Sequence, residues 1–263
     1  MKRNKKFYRR LAAAAAAVIV CTVFTVAGRV GGNPLIKLYL ENKTEKYLLE
    51  TYPQHSLEIT DCRYFGGDMF GFEFSVKDKQ IKDVEFNIRW YDKGREMNDS
   101  YPYTVANMKN TYNRLSEALA QDAAGILSEH SGFVDIAVAA AYGDWGREIF
   151  TGYPEEYGIY MDMVYDREKI NVPVTIYLTQ KERPADTDFD DAVKAAQVAY
   201  EMLCKNGISP KYISVNLSVN CGDYYCVKGG RIECSQLYSA GLAERLYNGH
   251  LNNCKKCMTD RGD

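Results

Sequence analysis

Residues 70–91 read FGFEFSVKDKQIKDVEFNIRWY, and their alternation decides the fold class. Two runs alternate between apolar and polar residues, and a lysine-rich turn at 77–83 separates them. The apolar members are Phe70, Phe72, Phe74 and Val76 in the first run and Val84, Phe86, Ile88 and Trp90 in the second. A period of two buries one face of each strand and leaves the other in water, which is typical of an antiparallel sheet.

Helices are predicted on both sides of these strands. Asn33 suits an N-cap and Pro34 a first helical turn, so a helix is predicted from there to about Tyr52, where Pro53 ends it. Four of its residues, Leu35, Leu38, Tyr39 and Leu49, fall broadly on one side. A long helix is predicted over residues 104–127, because apolar residues recur there at steps of three and four.

The second half of the chain repeats this style. Strands are predicted at 133–142, 172–178 and 213–219, and a helix at 188–206 that Gly207 ends. Pro173 predicts that its strand lies at a sheet edge, because proline cannot donate to a ladder. Gly229 and Gly230 predict the turn of a hairpin.

These elements predict an α+β protein in which antiparallel sheets pack against long helices. We expect two related halves, at residues 31–150 and 151–250, and a polar tail at 251–263. Residues 1–30 are predicted to form a basic leader and membrane anchor ahead of them.

The leader combines six cations in the first ten residues with an uncharged run from Leu11 to Gly28. This pattern predicts an N-terminal transmembrane helix, with the N-terminus in the cytoplasm and the bulk of the chain outside it. Cleavage by a signal peptidase after the small residues near Ala27 would instead release a secreted protein. Lipid attachment at Cys21 is a third reading of the same segment.

The charge of the remaining chain argues against some partners. Of the 33 Lys and Arg residues, 27 lie beyond the first ten residues against 35 Asp and Glu, which gives this remainder a net charge of −8. An acidic body is a poor binder of phosphate groups, so nucleic acid is not an expected partner. The expected partners are the lipid bilayer, through the N-terminal helix, and another membrane or cell-envelope protein.

Eight cysteines offer the most suggestive chemistry in the sequence. Cys62 and Cys204 fall in a predicted strand and helix, where they are interpreted as small core residues. Five others crowd the C-terminal third, and they are Cys221, Cys226, Cys234, Cys254 and Cys257.

Four readings of these C-terminal cysteines stay open. Cys221 and Cys226 with Cys254 and Cys257 resemble a four-thiolate zinc set, although the first spacing is wide. Thiol exchange by Cys254 and Cys257 is a second reading, since neighbouring lysines favour the thiolate. Structural disulfides suit an oxidising compartment, and free thiols suit an anaerobic one.

The remaining candidates predict no site. The histidines at 55, 130 and 250 have no partner at metal or triad spacing, so each is predicted to lie in a loop or on the surface. The acidic run at 186–191 lacks the glycine and glutamate of a calcium loop and is interpreted as the start of a helix. We therefore predict no catalytic, cofactor-binding or metal-binding residues and no cofactor.

The chain resembles the YfjL-like proteins, which are uncharacterised membrane-anchored proteins of Gram-positive bacteria. The resemblance rests on Gly32-Asn33-Pro34, Lys46-Tyr47-Leu48, Tyr52-Pro53 and Phe86-Asn87-Ile88, and on the segments 99–114, 192–207, 212–219 and 232–246. It implies an anchored, two-part extracytoplasmic protein, and it supplies no functional residues.

The sequence as a whole favours a membrane-anchored extracytoplasmic binding or interaction protein. One alternative is a thiol-dependent or metal-dependent enzyme that uses the C-terminal cysteines. A second alternative is an accessory subunit of a transporter or sensor.

Overall fold

A computed structural model gives the fold of most of the chain after the leader. The described residues are 32–66, 70–133, 136–142, 158–170, 173–180, 189–220 and 225–246, with short pieces at 8–10, 12–16, 18 and 22. They divide into two compact units, residues 1–110 and residues 111–263. The sequence placed a boundary near residue 150, whereas the strand at Ile136–Tyr142 pairs inside the second unit.

The first unit is a helix followed by a four-stranded antiparallel meander. Its elements are α1 (Pro34–Thr51), β1 (Leu57–Phe65), β2 (Gly71–Asp78), β3 (Glu85–Tyr91), β4 (Glu96–Asp99) and a single helical turn at Tyr101–Thr104. The strands lie in the order β1-β2-β3-β4. Strand β4 was not predicted, because three of its four residues are polar and they carry no alternation.

The predicted pairing of the two central strands is confirmed. In the register of β2 and β3, Phe72 faces Trp90, Phe74 faces Ile88 and Val76 faces Phe86. All of these side chains are buried, so one face of the sheet forms the core of the unit. The α+β class follows from this sheet and its helix.

The second unit has a mixed sheet. Its elements are α2 (Lys109–Ser128), which begins just before the division, β5 (Ile136–Tyr142), β6 (Val174–Gln180), α3 (Phe189–Lys205), β7 (Tyr212–Asn220), β8 (Tyr225–Glu233) and a helical turn at 242–246. Strands β6 and β7 are parallel, so the prediction of antiparallel sheets is wrong here. Helix α3 lies in the connection between them, as a parallel pair requires. The two sheets therefore differ in topology, which does not fit two related halves.

Two smaller predictions in this unit are also wrong. Pro173 precedes an internal strand, since β6 lies between β5 and β7 and its pairing begins only at Val174. Gly229 and Gly230 lie inside β8, where they pair with Asn216 and Val215 of β7. The start of α3 agrees with its interpretation, because its first turn contains Asp190 and Asp191.

Helix α2 begins later than predicted. The chain makes one helical turn at Tyr101–Thr104, and Met108 then adopts a left-handed conformation with φ of 50°. A left-handed residue cannot continue a right-handed helix, so the regular helix starts only at Lys109.

The predicted N-terminal transmembrane helix is a further correction. Within the described part of the chain, no helix has both the length and the apolar composition that spanning a bilayer requires.

Helix α1 packs on the sheet through a face that the sequence pattern did not predict. Its buried residues are Leu40, Thr44 and Leu48, spaced by four. Thr44 is fully buried and accepts a hydrogen bond of 2.8 Å from the indole Nε1 of Trp90. The Thr44 hydroxyl in turn donates to the Leu40 carbonyl at 2.7 Å, so both buried polar groups are satisfied.

The loop after β3 packs against the same part of α1. The Lys43 ammonium donates to the Gly94 carbonyl at 2.8 Å and lies 4.2 Å from the centre of the Trp90 ring. Gly94 has φ of 91°, and a Cβ there would lie 2.5 Å from Cδ2 of Leu40. Only glycine satisfies both the backbone conformation and the close approach.

Replacing Gly94 by Ala should therefore lower the free energy of unfolding by about 2 kcal/mol, through backbone strain and a clash with a buried leucine. The matched control is Gly158→Ala, because Gly158 has φ of 68° with open space around it. That control should lose only the strain energy, about 1 kcal/mol. Urea denaturation measures both, and equal losses would contradict the close packing of Gly94.

Candidate functional site

An apolar groove opens at the start of α1 in the first unit. It has a volume of about 540 Å³. Its lining combines the first turns of α1 with the sheet and the loop after β3, and consists of Asn33, Pro34, Leu35, Ile36, Leu40, Tyr64, Phe70, Gly71, Phe72, Trp90 and Lys93. Volumes of this order are typical of small-molecule pockets, which are mostly apolar with few polar groups.

The entry to α1 is fixed by its cap and by a glycine. The side chain of Asn33 accepts a hydrogen bond of 2.9 Å from the Leu35 N–H, as the sequence predicted. Gly32 has φ of 76°, and a Cβ there would lie within 3 Å of the rings of Phe72 and Tyr64. Those two rings lie 5.2 Å apart, so aromatic side chains line the groove where the helix begins.

Four large apolar side chains of α1 are exposed on the side that faces away from the sheet. Leu35 and Leu49 are 76% and 75% exposed, and Leu38 and Tyr39 are both 58% exposed. The sequence pattern correctly groups these residues on one side. That side lies opposite the buried residues Leu40, Thr44 and Leu48, through which α1 packs on the sheet. Exposed apolar surface of this kind marks interaction sites in soluble proteins.

The loop that carries Lys93 is strained. Asp92 and Lys93 have φ of 40° and 56°, both in the left-handed region that favours glycine. Such residues persist where the surrounding structure fixes them, and they cluster at functional sites. Here the contacts of Gly94 with Lys43 and Leu40 fix the loop and place Lys93 in the lining of the groove.

A polar network lies beyond the other end of α1, and sequence reasoning missed it. The His55 ring lies between a carboxylate and a phenol, with Nδ1 3.2 Å from Oδ2 of Asp78 and Nε2 2.9 Å from Oη of Tyr101. The side chains of His55 and Asp78 are only 11% and 1% exposed. Because a carboxylate can only accept, we assign the proton to Nδ1, and Nε2 then accepts from the Tyr101 hydroxyl.

His55 lies in the loop between α1 and β1, as predicted, but its ring has two partners that the sequence spacing did not indicate. Its carboxylate partner lies 23 residues away, at the end of β2, and that distance carries no local signal. His130 does lie in a turn, where its Nδ1 accepts from the Gly132 N–H at 3.1 Å. Residue 250 lies outside the described residues.

Asp99 organises a second part of the same network. Its carboxylate accepts from the Tyr47 hydroxyl at 2.8 Å, the Tyr52 hydroxyl at 2.5 Å and the Tyr101 backbone N–H at 2.8 Å. The rings of Tyr52 and Tyr101 stack with centroids 4.2 Å apart. The network thus ties the end of α1 to β4 and to the helical turn after it.

The protonation of this network fits a structural role. Burial raises the pKa of the Tyr52 and Tyr47 phenols, and the Asp99 carboxylate raises both further. Burial also raises the pKa of Tyr101, against a hydrogen bond with Gln54 that lowers it. A tyrosine that acts as a nucleophile or base at neutral pH needs the opposite shift. The raised pKa of the Tyr101 phenol therefore disfavours its action as a base at neutral pH.

A second cleft, of about 610 Å³, lies in the second unit beside Asp122 and Arg167. The Asp122 carboxylate accepts from Nε of Arg167 at 2.6 Å and from the Tyr165 hydroxyl at 2.8 Å. Burial would raise the pKa of Asp122, but these hydrogen bonds outweigh it and hold the pKa below its usual value. Lys169 pairs with Asp166 at 2.6 Å, so these cations of the cleft are already neutralised.

Burial disfavours the thiolate in two of the described cysteines. Cys62, Cys204 and Cys234 are free thiols. Burial raises the pKa of Cys234 to about 12 and also raises that of Cys62. Cys62 and Cys204 are half-buried, so neither is a full core residue as predicted.

The C-terminal cysteine pairs fall largely outside the described residues. Residues 21, 221, 254 and 257 lie outside the described residues, and Cys226 lies in β8. Within the described ranges, no cluster of three or more His, Cys, Asp or Glu side chains is placed to hold a metal ion. The zinc and thiol-exchange readings stay predictions.

Replacing Lys93 by Gly should raise the free energy of unfolding by about 1 kcal/mol, because glycine removes the left-handed strain. The control Lys93→Ala removes the same side chain but keeps the strain, so it should leave stability near that of the wild type. Thermal unfolding of the three proteins measures the difference. A destabilised Lys93→Gly variant would show that the loop is not strained at this position.

Asp78 should make the first unit sensitive to acid. Burial would raise its pKa, but hydrogen bonds from the backbone N–H groups of Gln80, Ile81 and Ser56 outweigh it, and the pKa lies below its usual value. The stabilisation is therefore present above the pKa of the unfolded chain, about 3.9, and is lost as the pH falls through the lower folded value.

We expect Asp78→Asn to lower the free energy of unfolding at pH 7 by about 1–3 kcal/mol and to flatten its decline below about pH 4. Asp61→Asn, on the exposed part of β1, is the control and should keep the wild-type slope. Urea denaturation between pH 2 and pH 7 measures both. An unchanged slope in Asp78→Asn would show that this carboxylate does not contribute.

Comparison with known proteins identifies the first part of the chain. Residues 5–100 match the family model of the YfjL-like N-terminal domain. No curated protein and no solved structure matches the chain. The matched segment contains α1, the four-stranded sheet and the whole lining of the groove. Residues 5–100 thus form a YfjL-like N-terminal domain, and the family resemblance seen in the sequence is confirmed.

Proposed function

We propose that the chain is a binding module, and that its ligand enters the apolar groove of the YfjL-like domain. One observation carries this proposal: helix α1 leaves four large apolar side chains exposed, and they are Leu35, Leu38, Tyr39 and Leu49. Each exposed leucine forgoes about 1.5–3 kcal/mol of burial energy. A ligand in the groove would cover part of this surface.

The groove itself supports binding more than catalysis. Its polar groups are few, and two of them already have partners inside the domain: Asn33 caps α1, and the Trp90 indole donates to Thr44. The titratable network of His55, Asp78 and Asp99 involves none of the groove-lining residues. The groove thus offers shape and apolar surface, and its described titratable side chains are Tyr64 and Lys93.

Two further predictions accompany the proposal. Location outside the cytoplasm is predicted from the cationic leader, and protease added to intact cells should then degrade the body of the protein. The enzyme alternative depends on the C-terminal cysteines. Metal analysis and thiol counting with and without reductant would favour that alternative if Cys254 and Cys257 bind metal or change redox state.

The binding proposal is tested with a neutral, apolar naphthylamine dye whose fluorescence rises on burial. Leu35→Gln should weaken dye binding to the full chain about tenfold, because Leu35 lines the groove. Glutamine is chosen so that the charge of the groove does not change.

Leu49→Gln is the matched control, since Leu49 lies on the same helix with the same exposure but about 21 Å farther along it. It should bind the dye like the wild type. Equal weakening in both variants, or in neither, would contradict the groove as the binding site. A dye signal that disappears with dimerisation in sedimentation experiments would assign the surface to a second copy instead.

A further inference from the structure

We infer that the groove takes the anion of a fatty acid, with the acyl chain in the apolar groove and the carboxylate beside Lys93. This inference rests on the proposed binding function and names the ligand of that site. It follows from the charge of the lining, from the hydrogen-bonding capacity of the lining, and from the strain at Lys93.

The charge of the groove is opposite to that of the protein body. Of the eleven lining residues, only Lys93 is charged, and no carboxylate is among them. The neighbouring Asp92 pairs with Arg95 at 3.2 Å, and Lys93 has no ion-pair partner within the described part of the chain. A cation left unneutralised in an acidic protein favours an anionic group on the ligand.

The start of α1 adds to this positive end. Asn33 and Pro34 line the groove, and the first turn of the helix contains no acidic residue. The partial positive charge of a helix N-terminus is therefore not offset by its own side chains. It acts in the same direction as Lys93 and favours a carboxylate over a neutral or cationic group.

The lining favours an acyl chain over an extended peptide. A peptide buried in the groove would bring N–H and C=O groups, while the side chain of Asn33 and the indole N–H of Trp90 are already engaged. Each peptide N–H or C=O group left without a hydrogen bond would cost about 1–3 kcal/mol. An acyl chain has no such groups, and it gains about 0.8 kcal/mol for each methylene that it buries.

The strained loop agrees with a role for Lys93 itself. Lys93 is held in a left-handed conformation that glycine would adopt with less strain. Within the described residues, the lysine side chain forms no ion pair that would stabilise the fold in return, whereas it does line the groove. A ligand contact accounts for a lysine at this position.

The test compares three ligands with the same twelve-carbon chain: dodecanoate, dodecanol and dodecyltrimethylammonium. Each is titrated at pH 7.4, below its micellar concentration, against the full chain loaded with the neutral dye. We expect dodecanoate to bind about two- to five-fold more tightly than dodecanol, as one partly exposed ion pair allows, and dodecyltrimethylammonium to bind most weakly. Added salt should reduce the preference.

Lys93→Met should abolish the preference for dodecanoate and leave the affinity for dodecanol unchanged, whereas Lys93→Arg should keep the preference. Thermal unfolding of both variants establishes that they are folded. Equal affinities for dodecanoate and dodecanol in the wild type, or a preference that survives in Lys93→Met, would overturn the inference while leaving the groove as a binding site.

Two other outcomes separate the inference from the function on which it rests. If an apolar peptide displaces the dye and none of the three amphiphiles does, the ligand is a peptide and the inference is wrong. If the dye itself binds without dependence on Leu35, the proposed function fails as well.

Discussion

A single buried hydrogen bond, from the indole of Trp90 to the hydroxyl of Thr44, determines which side of α1 meets the sheet. An indole N–H buried without a partner is costly, so the helix turns its threonine toward the core and keeps Leu40 and Leu48 beside it. The opposite side, with Leu35 and Tyr39, then faces outward. The groove, its aromatic lining and the placement of Lys93 all depend on this orientation.

The two ends of α1 serve different purposes. At its end, Tyr47 and Tyr52 donate to Asp99, and these buried hydrogen bonds tie the helix to β4. At its start, Asn33 caps the helix beside open apolar space. The 18 residues between them span about 27 Å, so a rigid attachment at one end supports an accessible surface at the other.

Local pattern predicted the elements but not their partners. The alternation at 70–91 was sufficient for β2 and β3, and Asn33 with Pro34 was sufficient for the start of α1, because each depends on neighbours in sequence. The buried side of α1 was not predictable in this way, since Thr44 acquires its partner 46 residues away. His55 was missed for the same reason. The hairpin turn predicted at Gly229 and Gly230 was wrong because a glycine pair is compatible with a strand interior as well as with a turn.

The parallel pairing of β6 with β7 bears on how the protein is made. In the first unit every strand pairs with its neighbour in sequence, so the sheet can assemble as soon as residue 100 has left the ribosome. In the second unit, β6 has to wait for the chain from Gln180 to Tyr212 before its parallel partner exists. Non-local contacts of this kind form slowly. The YfjL-like domain is therefore expected to fold during synthesis, while β6 spends longer as an unpaired strand that chaperones can recognise.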